Sequence, residues 1–163
     1  MNITNNFAVT SADIGEALMR SASAFKSNGT EMSEAIGLII GAQETVQNSG
    51  KVGNSFKTMV NRLNGVTYSM KDGTIIANKT TQAFKELAGI DIVNWKTNEV
   101  DDAYSIFSKL ADKWDSMNDV QKNGIADALG GAHHLNTLQA LMNNWDTVVQ
   151  YQEIASSYVQ KCA

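Results

Sequence analysis

The sequence predicts a mainly α fold: an antiparallel helical bundle of about seven to eight helices, with a small β-hairpin near residues 66–77. Three observations predict it. Apolar residues recur every three or four positions through most of the chain, the spacing of a helix with one buried face. The 163 residues contain no proline, the residue that most strongly breaks helix interiors. Glycines and small capping residues fall between the periodic stretches, where helices would stop and start.

The elements follow in order. Ile14, Ala17, Leu18, Ala22 and Phe25 share one face of a first helix, started by Thr10 or Ser11 and ended by Gly29. Thr30 is then expected to cap a second helix with Met32, Ala35, Ile36, Ile39, Ile40 and Val46 inward. Gly37 and Gly41 lie one turn apart on it. Each costs roughly 1 kcal/mol relative to Ala inside a helix, so close approach of another helix is expected there. A third helix runs from about Ser49 to Asn64 on a stripe of Val52, Phe56, Met59, Val60 and Leu63, and Asn64-Gly65 stops it. The short connectors predict that these three pack as antiparallel neighbours.

Val66, Tyr68 and Met70 alternate with polar residues, and Asp72-Gly73 is a good hairpin turn. Residues 89–93 read as a third short strand. Between them, a helix is capped by Asn78 and closed by Gly89. The last third is helical again. Ala103, Ile106, Phe107, Leu110, Ala111, Trp114 and Met117 form one broad face. Asn118, with Gln121 at the capping-box position, starts the next helix, and Gly130-Gly131 breaks it. Leu135, Leu138, Leu141, Met142 and Trp145 point inward on the helix that follows, and Asp146 is expected to cap a final one to about Gln160. The phrase Trp-Asp-hydroxyl-apolar occurs at Trp114 and again at Trp145. It reads as core anchoring plus helix punctuation. Sub-bundles are expected over about 11–65 and 100–160 of one helical domain.

Composition narrows the function. Net charge is −4, pI is near 5.1, and Lys and Arg form no basic run. Duplex binding depends on clustered cations, so sequence-specific or general nucleic-acid contact is not expected. The single cysteine, Cys162, cannot form an intrachain disulfide. The first ten residues lack the pattern of a signal peptide, and the apolar stretch 35–42 is far short of the ~20 residues that span a bilayer.

No chemical constellation emerges. Asp115 and Asp146 are the one candidate carboxylate pair, but both fall at helix ends, where capping is the commoner role. His133 and His134 are adjacent; neighbours on a helix point about 100° apart, whereas chelating pairs use i, i+4 spacing. They are read as a polar, partly exposed first turn and a candidate partner contact. Neither phosphate-loop glycine pattern is present, nor a nucleophile elbow. The expectation is a non-enzymatic chain with no catalytic, cofactor or metal residues and no small-molecule substrate. Its structural residues are Trp114, Trp145, Asp146, Asn118, Gly65, Gly130 and Gly131.

The order of motifs goes further. Glu34-Ala35-Ile36, Lys51-Val52-Gly53 and Arg62-Leu63-Asn64-Gly65, followed by "AYSIFSKLADKWDSMNDVQKNGIADALGG" and "LQALMNNWDTV", resemble the core region of phage tail tape measure proteins. The resemblance covers about residues 12–150. It departs after the glycine pair, where the family carries a basic-polar stretch and this chain has Ala132-His133-His134. The resemblance implies a structural role in tail assembly and tail length determination, with tail tube and tail assembly chaperone proteins as partners. It implies a location inside the tail tube of the virion, and in the bacterial host cytoplasm during assembly. Even wholly helical, 163 residues would reach roughly 245 Å. The chain is therefore expected to be a globular core region of a larger tape measure protein rather than its ruling segment. The competing reading is a free-standing helical adaptor that binds another protein. A cell-wall hydrolase is a third, without a supporting constellation.

Overall fold

The computed structural model of the chain describes residues 9–63, 66–68 and 75–162. Among them are eight α-helices and two short hairpins, a mainly α fold. In chain order these are α1 (Ser11–Asn28), α2 (Met32–Val46), α3 (Ser49–Arg62), β1 (Val66–Tyr68), β2 (Ile75–Ala77), α4 (Lys79–Ala88), β3 (Val93–Asn94), β4 (Glu99–Val100), α5 (Ala103–Trp114), α6 (Asp119–Ala128), α7 (Leu135–Asn143) and α8 (Trp145–Cys162). A single 3-10 turn, Ala132–His134, leads into α7.

Local chemistry explains most boundaries. Thr10 and Asp13 close a capping box at the start of α1, each side chain accepting from the other's backbone N–H at 3.1 Å. Asn48, Asn78, Asp102 and Asn118 cap α3, α4, α5 and α6 by accepting from the N–H three residues on, and only Asn118 adds the reciprocal bond of a capping box. Gly29 and Gly89 end α1 and α4 in the left-handed conformation.

Thr30 departs from expectation. The residue before α2 is Glu31, which shares a capping box with Glu34. Thr30 donates instead to Asn28 Oδ1 at 2.8 Å, and both oxygens accept from Ala103 N, at 3.2 and 2.6 Å. The α1–α2 corner thus holds the first turn of α5. A contact 73 residues away in sequence won over the local one.

α2 is the centre of the molecule. It touches α1, α3, α5, α7 and α8, and from Leu38 to Gln43 every residue is buried. A helix covered on all sides has no single stripe. That is why Leu38, outside the expected set, is fully buried while Met32, inside it, is 54% exposed. Gly37 and Gly41 face α8 as the helix-crossing argument requires. A Cβ on Gly37 would lie 2.7 Å from Val148 O, and one on Gly41 would run into the Val148 side chain. Gly53 does the same for α1 and α3: its Cβ would sit 2.9 Å from Ala17 O. Phe25, Phe56 and Phe107 line up through the core from α1, α3 and α5, with ring centroids 5.6 and 6.3 Å apart.

β1 and β2 pair antiparallel, with Val66 opposite Ala77, where the hairpin was expected. The proposed Asp72-Gly73 turn and Gly65 lie outside the described residues. The third strand expected at 89–93 is corrected. Only Val93 enters a strand, and it pairs with Val100 in a second, separate hairpin. Ile90 and Ile92 instead drop into the core. Trp95 lies at the tip of that hairpin and is 46% exposed.

These glycines predict opposite effects of one substitution. Gly37→Ala should lower stability by about 1–3 kcal/mol through overpacking. Gly15→Ala, on α1 with open space around the added carbon, should raise it by about 0.5–1 kcal/mol. Urea unfolding of the two variants beside the parent checks the pair.

Candidate functional site

The repeated Trp-Asp phrase performs two different jobs. Trp114 is the last residue of α5, 2% exposed, with Lys122 Nζ from α6 over its ring at 5.0 Å. Its Nε1 is buried without a hydrogen-bond partner. Asn118 then starts α6: its Oδ1 accepts from Gln121 N at 2.8 Å, and Gln121 Oε1 accepts from Asn118 N at 2.9 Å.

Trp145 opens a helix instead of closing one. It is the first residue of α8, half-buried, with its ring 5.4 Å from that of Tyr104 on α5. Asp146 is therefore not the cap the sequence suggested. It lies exposed within the first turn of α8, where a carboxylate still suits the helix dipole. The boundary residue is Asn144. Its carbonyl accepts from Val148 N at 3.1 Å, and its Nδ2 donates to Gly41 O at 2.9 Å and Thr45 Oγ1 at 2.8 Å. Sequence reasoning missed this residue, because its partners lie about a hundred positions away on α2. Asp115, at the end of α5, is exposed as well.

Gly130 and Gly131 end α6 with φ of 126° and 130°. These angles disfavour any side chain, and a Cβ on Gly130 would lie 2.5 Å from Thr58 of α3. The turn drives His134 inward. Far from a partly exposed residue, it is 6% exposed, because α3 offers it a polar partner. Its Nδ1 lies 3.1 Å from Ser55 Oγ, which is 3.2 Å from Thr137 Oγ1 on α7. Three buried polar groups thus join α3, the turn and α7. His133 remains exposed, its ring 4.0 Å from that of His134. Burial, then the positive fields of His133 and Lys51, hold His134 below its ordinary pKa. An open surface cavity of about 510 Å³ lies over this group, lined by Lys51, Asn54, Thr58 and both histidines. A second depression, about 550 Å³ and mostly apolar, runs between α1 and α2 past Leu18, Phe25, Met32 and Ala35.

Among the described residues, no three His, Cys, Asp or Glu side chains are placed to hold a metal ion. Ser55 meets His134, and its buried hydroxyl is also paired with Thr137. No helix among the described residues is long and apolar enough to cross a membrane.

Fold and site together define a helical protein built for packing and surface contact. The chain belongs to the phage-related minor tail protein family, whose model matches residues 1–131. No solved structure matches it. Membership supports a structural, virion-associated role in the phage tail, among other tail proteins.

The anchors should separate by stability. Trp114→Ala should cost about 3–5 kcal/mol and Asn118→Ala about 1 kcal/mol. Asp146→Ala should stay within about 0.5 kcal/mol, which chemical denaturation can resolve.

His134 should also make stability pH-dependent. Its folded pKa lies below the ordinary 6.5. Below pH 6.5 the unfolded chain binds a proton that the native turn resists, so stability falls as pH drops from there. His134→Gln should flatten that part of the profile in melting temperatures taken across pH 5–8.

Proposed function

We propose that this chain is an assembly and docking region of a tail tape measure protein. On this reading it is non-enzymatic and takes part in tail assembly and tail length determination. It does so through contacts with tail tube and tail assembly chaperone proteins, in the host cytoplasm during assembly and then inside the tube. The ordered Lys-Val-Gly, Trp-Asp-Ser and Leu-Gly-Gly motifs support the tape measure assignment within the tail family.

The observation that carries the docking role is the folding back of the helices onto α2. The longest described helices have 18 residues and span about 27 Å each. A length-setting rod needs extension, and this region turns its helices against one another instead. It suits a region that positions a longer chain through contacts. One helical domain within a larger tape measure protein fits the same picture.

A second reading, a free-standing adaptor, draws support from the apolar depression between α1 and α2 with exposed Met32 at its edge. The two readings part in a binding experiment. Mixed with purified tail tube and assembly chaperone proteins, the domain should co-elute with at least one of them in size-exclusion chromatography. Separate elution from both at micromolar concentrations would remove the assembly reading.

A further inference from the structure

The cavity over His133 has a one-sided chemistry. Lys51 enters it from the first turns of α3, and His133 and His134 from the 3-10 turn. Asn54 and Thr58 add neutral polar groups, and no lining residue is acidic. Lys51 continues into an adjoining polar depression of about 400 Å³, where Asn136, Gln139 and Asn143 of α7 supply amides and again no carboxylate. This is unexpected in a chain of net charge −4.

Nor is the positive charge neutralised nearby. Among the described residues, Lys51 joins none of the ion pairs, which are Arg20–Glu16, Lys85–Asp91 and Lys109–Asp101. Lys51 is the cation of this cavity, and no acidic group is among the influences on His134. Glu16, the acid nearest the start of α3, is engaged by Ser49 at 2.6 Å and by Arg20. The face is backed by the buried His134–Ser55–Thr137 chain, which ties the turn to α3 and α7. Donors on a fixed frame are what recognition of an anionic group requires.

We infer that the Lys51–His133 cavity docks a carboxylate side chain from an acidic segment of another protein. A carboxylate suits it better than a nucleic-acid backbone. One lysine beside the exposed His133 can meet one or two oxygens, whereas duplex binding needs a run of cations that this chain lacks. The bound anion would sit against the exposed imidazole of His133. The inference deepens the docking role proposed above by naming the chemistry of one contact.

The test follows the imidazole resonances of His133 and His134 by NMR in the whole chain. The titrants are a short Glu-rich peptide, inorganic phosphate and a single-stranded oligonucleotide. The peptide should give saturable shifts at His133. Lys51→Gln and His133→Gln should each weaken binding about twofold to fivefold, the range of an exposed ion pair. Both side chains are exposed, and far-ultraviolet circular dichroism confirms that each variant keeps its helices. Shifts that never saturate, peptide binding unchanged in both variants, or tighter binding of phosphate or oligonucleotide than of peptide would each overturn the inference. Co-elution with tail proteins is scored separately, so the assembly role and this cavity can fail independently.

Discussion

The close approach of α2 and α8 governs the rest of the molecule. Gly37 and Gly41 remove the two side chains that would hold these helices apart, so Val148 seats directly against the α2 backbone. Asn144 fastens the near end of the contact by donating to Gly41 O and Thr45 Oγ1. The glycines weaken α2 as an isolated helix. Close packing of a helix buried on all sides offsets that, since well-fitted interiors gain many small dispersion contacts. With α2 so enclosed, α1, α3, α5 and α7 pack around it, and the chain has no extended course left open to it.

The same device recurs at Gly53, where α3 meets the backbone of α1 at Ala17. That crossing sets the height of Phe56 between Phe25 and Phe107, which links the first three helices to α5. α5 is tied a second time at its start, where Asn28 and Thr30 receive the Ala103 N–H. Trp114 then closes its far end under Lys122. Rigid placement of α3 matters beyond the core. It puts Ser55 where His134 can be satisfied, and Lys51 beside His133 at the surface.

Two surfaces among the described residues differ in chemistry. One is the apolar depression between α1 and α2; the other is the cationic, amide-rich face of α3, the 3-10 turn and α7. They bear on how a phage-related minor tail protein engages its neighbours. An apolar surface contributes affinity through area removed from water, whereas a polar, charged one contributes orientation and choice of partner.

Much of this was legible in the order of residues. The caps at Thr10, Asn78 and Asn118 need only a side chain and an N–H three positions on, and the left-handed ends at Gly29 and Gly89 need only a missing Cβ. The β1–β2 pairing, the helix count and the meaning of Gly37 and Gly41 were equally local in origin. Tertiary structure alone decided the rest. Thr30 left its expected cap for Ala103, Asn144 took the boundary role expected of Asp146, and Val93 found Val100 rather than the first hairpin. His134 was buried for the same kind of reason, since Ser55 reaches it from α3 and is itself paired with Thr137 of α7. Sequence spacing by itself determined which residues could form helices and where those helices could end, because caps and turns act within four residues. It did not determine which polar groups meet or which helix is enclosed, because those partners come together only when distant segments pack.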